Sequence, residues 1–179
     1  MKIKLSVCGR ETRLYEAVEF SLKYMKKIRG RKAIILFSDG LNSGGLVSDF
    51  RSYTTARDNL RDAEENDALI YTIRFGSFPL NPPSYANKEY YYKRIEEIDQ
   101  YMKDLALKTG GRPFQVEDIA NLEETFKMVA DELGKQYGLG YYPKPLENGQ
   151  KKQVRQIKVK VNKPNLAVRA RSSYVIEKK

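Results

Sequence analysis

Asp39 lies at a position where α/β proteins place ligands. It follows an uninterrupted apolar run, 33–37, and belongs to the tripeptide Ser38-Asp39-Gly40. Such a run is typical of a strand that is buried on both faces of a parallel sheet. Open α/β folds bind their ligands just beyond the carboxyl ends of such strands. A carboxylate there can accept hydrogen bonds or ligate a hard cation such as Mg²⁺.

The remaining chemistry of the chain argues against catalysis. The sequence has no histidine, which removes histidine-activated nucleophiles and histidine metal ligands. Cys8 is the single cysteine, so an internal disulfide and a thiolate zinc site are excluded. No glycine-rich phosphate motif follows a strand. We therefore expect a binding protein, not an enzyme.

Apolar spacing predicts the elements that position Asp39. Strands are predicted at 33–37, 68–75 and 112–116, and helices at 12–29, 49–66, 94–109 and 118–136. Strands that alternate with helices indicate an α/β fold with a mostly parallel sheet. The predicted helix N-caps are Thr12, Asp49 and Asp118.

Residues 77–93 are predicted to be irregular because they contain three prolines. The same segment carries four tyrosines: Tyr85, Tyr90, Tyr91 and Tyr92. Two interpretations remain open for them, an interface or simple packing on the body of the protein.

The C-terminal part has a different pattern. Apolar and polar residues alternate in 155–162 and again in 166–176, with a turn at Pro164-Asn165 between them. This period of two predicts an antiparallel β appendage. We therefore expect a partial α/β domain over 1–137 and a hairpin appendage over 138–179.

Most of the excess positive charge lies in this appendage. The formal net charge of the chain is +10, and 144–179 holds eleven Lys or Arg residues but only two acids. A basic patch on the hairpin is predicted from Lys158, Lys160, Arg169 and Arg171. It could bind an anionic surface or a nucleic acid, or it could be a solvated outer face. No aromatic residues are interleaved with the cations, so nucleic acid is not the expected partner.

Several segments together resemble one known family. "GRETRLYEAVEFSLKYM", "FSDG", "ALIYTIRFG" and "LALKTGGRPFQV" resemble consecutive segments of the von Willebrand factor type A domain. "YGLGYYPKP" and the basic hairpin resemble the acidobacterial subfamily. The resemblance covers about 9–176 and implies a three-layer, Rossmann-like sandwich that binds other proteins.

The same resemblance implies a metal site. In that family Mg²⁺ sits above the sheet, and an acidic side chain of the partner completes its coordination. Thr12 and Asp39 match two of the family's ligands, and the neighbouring Ser38, Gly40, Asn42 and Ser43 would contact the partner. The family's Asp-x-Ser-x-Ser ligand motif is absent from the sequence. We therefore expect an incomplete site with weak Mg²⁺ binding.

The first half of the family's domain has no counterpart in the sequence, so the first half of the sheet is expected to be missing. The strand at 33–37 would then have one unpaired edge, which favours self-association. The alternating segment "KIKLSV", 2–7, is expected to add as a strand that covers part of this edge. We expect no export signal and no membrane span in the sequence, because no apolar run is long enough. The compartment therefore stays open.

Overall fold

The fold is described from a computed structural model, which covers residues 13–39, 55–76, 82, 84, 87–146, 152–166 and 168–177. The described elements are α1 (Leu14–Met25), β1 (Ala33–Ser38), α2 (Ala56–Glu65), β2 (Leu69–Phe75), α3 (Lys88–Thr109), β3 (Pro113–Val116), a 3₁₀ turn (Ile119–Asn121), α4 (Leu122–Gly134), β4 (Lys152–Gln156) and β5 (Ser173–Glu177). None of the helices in these ranges is long and apolar enough to cross a membrane.

The first three strands form one parallel sheet in the order β1-β2-β3. Each strand is followed by a helix, because the next parallel strand can be reached only by a crossover. β4 and β5 form a separate antiparallel sheet. The predicted α/β class, the parallel sheet and the antiparallel appendage are therefore confirmed.

Helices cover both faces of the parallel sheet. One face packs against α1, α2 and α3 around a core that includes Leu22, Ile70 and Leu105. On the opposite face Tyr71 of β2 lies near Glu132 and Gln136, at and just beyond the end of α4. Ile73 is fully buried on that face, whereas Ile35 and Phe37 of β1 are exposed. The described helices therefore cover β2 and β3 on this face, whereas Ile35 and Phe37 of β1 are partly exposed.

Two helix boundaries near the start of the chain differ from the prediction. α1 ends at Met25, because the amides of Lys27 and Ile28 bond three residues back and tighten the chain into a turn. Arg13 occupies its N-cap position, and the predicted cap Thr12 lies outside the described residues. α2 begins at Ala56, not at 49.

The start of α2 is fixed by Thr55. The Thr55 hydroxyl accepts the amide of Asp58 at 3.1 Å, and the Asp58 carboxylate accepts the Thr55 amide in return. This capping box satisfies two backbone donors at the helix start. Hydrogen bonding to Thr55 also holds the pKa of Asp58 below its usual value. Thr55 therefore caps this helix, and the predicted cap at Asp49 is wrong.

The start of α3 also differs from the prediction. Its first residue is Lys88, six residues before the predicted start, because the side chain of Asn87 accepts the amide of Tyr90 at 3.1 Å. The helix can begin this early because the three prolines of the segment lie before Asn87 and so do not interrupt it. Gly110 ends the helix in the left-handed conformation, with φ of +85°, as the Gly110-Gly111 pair suggests.

In the C-terminal part, the antiparallel pairing is confirmed but its location is wrong. The paired residues are 152–156 and 173–177, so the alternating segments predicted as strands lie mostly in the connection between them. The amide of Ile157 still bonds the carbonyl of Ser172 at 2.8 Å. Asn165 has φ of +61°, which fits the predicted turn. The proposed division at 137/138 stays a prediction.

Candidate binding site at the carboxyl end of the sheet

The carboxyl ends of the three parallel strands meet at one edge of the body. Asp39 directly follows β1 there and is exposed. The amide of Gly76, after β2, donates to the carbonyl of Val116 at the end of β3, at 2.8 Å. Gln115 of β3 also donates its side-chain amide to the carbonyl of Gly76, at 2.7 Å. These bonds hold the ends of β2 and β3 together beside Asp39.

The first turn of α3 brings tyrosines to the same edge. Tyr91 is buried, and burial raises the pKa of its hydroxyl. The neighbouring Tyr92 and the negative charge of Asp39 raise this pKa by smaller amounts. Asp39 follows β1 at this same edge of the sheet. Tyr90 and Tyr92 are exposed by 52% and 37%, and the rings of Tyr91 and Tyr92 make an edge contact at 5.9 Å. Asp39 and the first turn of α3, with Tyr90 and Tyr92 exposed on either side of Tyr91, are together called here the carboxyl-edge site.

An ion pair fixes α3 to the sheet behind this site. Arg74 lies opposite Ser38 in the register of β1 and β2, and its Nε is 2.5 Å from Oδ1 of Asp99 on α3. Arg74 is nearly buried, with 6% of its side chain exposed. Burial raises the pKa of Asp99, although the positive charges of Arg74 and Lys103 oppose the shift. The ion pair holds the middle of α3 against β2 and so positions the tyrosines of its first turn.

A second contact joins all three helices on this face of the sheet. The Asn59 side-chain amide of α2 donates to the Tyr15 carbonyl of α1 at 2.8 Å and to the Tyr101 hydroxyl of α3 at 3.1 Å. The rings of Tyr15 and Tyr101 meet edge to face at 5.0 Å. Burial raises the pKa of Tyr101, so its hydroxyl stays protonated. This network is structural, since its polar atoms are enclosed by the helices.

The structure brings together only part of the predicted site. Ser38 is half-buried at the end of β1, and Asp39 is exposed beside it. Thr12, Gly40, Asn42 and Ser43 lie outside the described residues. Within the part of the chain that the structure describes, no group of three or more acidic, cysteine or histidine side chains could hold a metal ion. A single carboxylate does not fit the needs of Mg²⁺, so the donor set described at this edge does not make a magnesium site.

The sequence named Tyr90 and Tyr92 as interface candidates but did not predict the helix that carries them, because the prolines suggested that the whole of 77–93 was irregular. Two signals were present. Asn87 is a good N-cap, and Tyr91, Ile95 and Ile98 follow the spacing of one helix face. Tyr91 is now seen to pack on the body, whereas Tyr90 and Tyr92 face outward.

The predicted basic patch is divided between solvent and the body of the protein. Lys158 and Lys160 are exposed in the connection after β4. Arg169 donates to the carboxylate of Glu132 on α4 at 2.6 Å. Arg171 donates to the backbone carbonyls of Ser173, at 2.9 Å, and Glu64. Two of the four cations therefore bind the protein itself, and the alternative of an anionic-surface site gains no support from their contacts.

Comparison with known proteins gave structural matches only. No family model and no curated protein match the chain. An uncharacterized membrane spanning protein from Vibrio fischeri is 19% identical over 74% of this chain and 61% of that chain, with a TM-score of 0.39. The conserved hypothetical protein BatB from Bacteroides thetaiotaomicron is 15% identical over 73% of this chain and 63% of that chain, with a TM-score of 0.45. The matched part is thus less than two thirds of either structure.

Proposed function

We propose that this chain is a protein-binding module that holds its partner at the carboxyl-edge site. The observation that carries the proposal is the position of the exposed carboxylate of Asp39 beside the first turn of α3, where Tyr90 and Tyr92 are also exposed. The resemblance of the sequence to von Willebrand factor type A domains supports the same function at the same end of the sheet.

The chemistry of the site suits a protein surface. Tyrosine buries a large area at a low cost in conformational entropy and adds a hydroxyl that can donate or accept a hydrogen bond. The two exposed tyrosines extend from a helix that the Arg74–Asp99 ion pair and the core hold in place. A rigid aromatic surface loses little freedom on binding, which favours affinity.

The charge of Asp39 defines the group that it would contact. An acidic partner group, as the family resemblance implies, needs a cation between the two carboxylates. The donor set described here has one carboxylate, and without a cation it would repel an acid. We therefore expect Asp39 to face a backbone N–H, a lysine or an arginine of the partner.

Affinity capture from a lysate of the native host, with the full chain as bait, tests this function. We expect a protein that wild type retains and that both Asp39→Ala and Tyr92→Ala lose. Tyr142→Ala is the matched control, because Tyr142 is fully exposed but lies in the segment after α4. Retention should be the same in Mg²⁺ and in EDTA. If Tyr92→Ala and Tyr142→Ala retain the same proteins as wild type, the carboxyl-edge site is not the binding surface.

A further inference from the structure

The connection between β4 and β5 has a base that the body holds and a tip that projects from it. At the base, the amide of Ile157 donates to the carbonyl of Ser172 at 2.8 Å. The odd-numbered residues from 153 to 159 are half-buried, but every described residue from 160 to 168 is exposed. Residues 160–168, called here the hairpin tip, therefore extend beyond the body into solvent.

The hairpin tip exposes three apolar side chains. Val161 is 46% exposed, Leu166 is 57% exposed and Val168 is 43% exposed. They lie on the two sides of a turn in which Asn165 takes the left-handed conformation, with φ of +61°. Single exposed apolar residues are normal on a protein surface, but a group of them on a projecting turn is typical of a surface that contacts a partner.

The charge of this region is positive throughout. Residues 151–176 hold eight Lys or Arg residues and no acid. The two arginines of the predicted basic patch bind the body, so they belong to the base of the connection. Three exposed lysines, Lys158, Lys160 and Lys163, instead adjoin the apolar side chains of the tip. A partner that complements this surface therefore offers both negative charge and an apolar environment.

We propose that the hairpin tip inserts into the surface of a bilayer that contains anionic lipids. The three apolar side chains enter the boundary between headgroups and acyl chains, and the three lysines keep their ammonium groups at the level of the lipid phosphates. A cluster of cations gains affinity from the negative surface of such a bilayer. A nucleic acid offers phosphates but no apolar layer, and the tip has no aromatic ring to stack on its bases. A lipid surface therefore matches the tip better than a nucleic acid does.

The base of the connection and the carboxyl-edge site lie at opposite ends of α3. Gly110 ends α3, and a Cβ there would lie 2.6 Å from the amide nitrogen of Arg171, so the base packs on that end of the helix. Tyr90 and Tyr92 lie in the first turn of α3, and the 22 residues of this helix span about 33 Å. A chain that is bound to lipid by its tip can therefore present the carboxyl-edge site to a partner protein.

Co-sedimentation of the full chain with lipid vesicles tests the role of the lysines. We expect wild type to bind vesicles of equal parts phosphatidylcholine and phosphatidylglycerol, and not vesicles of phosphatidylcholine alone. Replacing both Lys158 and Lys160 by glutamine should weaken binding about 10–30-fold. Replacing both Lys88 and Lys93 is the matched control, because it removes the same charge from exposed positions on α3, and it should bind much like wild type. Equal losses in the two double variants would assign binding to the net charge and overturn the proposal.

A fluorescent label tests whether the tip enters the bilayer. With Cys8→Ser as background, Leu166→Cys and Ile119→Cys proteins carry the same environment-sensitive dye. Ile119 is the control, because it is 72% exposed but lies in the turn before α4. We expect the emission of the dye at position 166, and not at 119, to shift to the blue when the anionic vesicles are added. No shift at 166, or equal shifts at both positions, would overturn the proposal.

Two further measurements separate the lipid surface from the other interpretations. If the chain binds double-stranded DNA but not the anionic vesicles, the tip is a nucleic-acid site and the proposal is wrong. Tyr92→Ala should lose the captured partner protein but bind the vesicles as wild type does, because Tyr92 lies at the other end of α3. Loss of vesicle binding in that variant would move the lipid contact to the carboxyl-edge site and overturn the proposal for the tip.

Discussion

Arg169 donates a hydrogen bond from Nη1 to Oε1 of Glu132 at 2.6 Å, and this contact fastens the connection between β4 and β5 to the end of α4. The same oxygen accepts Nη1 of Arg112, which precedes β3, at 3.2 Å. One carboxylate thus joins three segments that are distant in the sequence.

Glu132→Gln should weaken this junction. Because Arg169 is substantially exposed, we expect a loss of about 1 kcal/mol or less in the free energy of unfolding. Trypsin should cleave after Arg169 faster, since the segment is held less tightly. Glu123→Gln is the control, because Glu123 contacts only the exposed Lys127 among the ion pairs described for it. Equal cleavage of the two variants would mean that Glu132 does not hold the segment.

Gly111 and Gly134 should respond oppositely to alanine. A Cβ at Gly111 would overlap the carbonyl of Ile70 on the central strand, so Gly111→Ala should cost about 1–3 kcal/mol of stability. Gly134 ends α4 with nothing near the added carbon, so Gly134→Ala should be neutral or stabilise by up to about 1 kcal/mol. Chemical denaturation measures both. A tolerated Gly111→Ala would show that α3 is not packed this tightly on the sheet.

Asp99 should make stability depend on pH in acid solution. Its folded-state pKa is raised above the usual 3.8, because burial outweighs the attraction of Arg74 and Lys103. The folded state therefore binds the proton more tightly than the unfolded state, and the free energy of unfolding should fall as the pH rises from about 3.8 through the folded pKa.

Asp99→Asn separates this effect from the ion pair. The variant should lose the fall in stability across that pH window, and above it should be at least as stable as wild type, because a neutral amide avoids the burial of charge that raises the pKa of Asp99. Urea unfolding at a series of pH values gives both results. Asp104→Asn, a half-exposed carboxylate on the same helix, serves as the control. An unchanged pH profile in Asp99→Asn would assign the titration to another group.

Magnesium should bind weakly at most. Asp39 supplies one carboxylate, and Mg²⁺ gives up its waters only for a well-formed oxygen site. Isothermal titration of wild type and Asp39→Ala should show dissociation constants in the millimolar range or weaker for both. Micromolar binding that Asp39→Ala abolishes would show that residues outside the described ranges complete the site.

Much of the parallel sheet could be predicted because its strands are short segments rich in apolar, β-branched and aromatic residues. β1 and β3 lie within one residue of their predicted positions, since Ala33–Phe37 and Phe114–Val116 read as strands by composition alone. The starts of α2 and α3 were harder to predict from the sequence. By residue type, Asp49 is as good a cap for α2 as Thr55, and the prolines before Asn87 suggest that α3 starts later than it does. Only the hydrogen bonds of the caps show that α2 starts after Thr55 and α3 after Asn87.

The C-terminal strands were misplaced for a tertiary reason. The alternation in 155–162 predicts extended chain, but the segments that pair are 152–156 and 173–177. These segments contain or adjoin Arg155 and Arg171, whose side chains bind backbone carbonyls elsewhere in the chain. Arg155 donates to the carbonyls of Lys144 and Pro145, at 2.5 and 3.0 Å, and Arg171 donates to the carbonyl of Glu64. Such long-range contacts leave no periodic trace in the sequence. The sequence left open which of Tyr90, Tyr91 and Tyr92 are exposed for the related reason that their exposure depends on how α3 packs.

Site-specific photo-cross-linking tests the binding account most directly. A benzoylphenylalanine in place of Tyr92 lies at the carboxyl-edge site, and the same residue in place of the exposed Tyr142 is the control. After irradiation in a lysate of the native host, we predict an adduct of this chain with a different protein at position 92 and not at 142. The absence of an adduct at 92, equal adducts at both positions, or an adduct that contains only two copies of this chain would contradict the account.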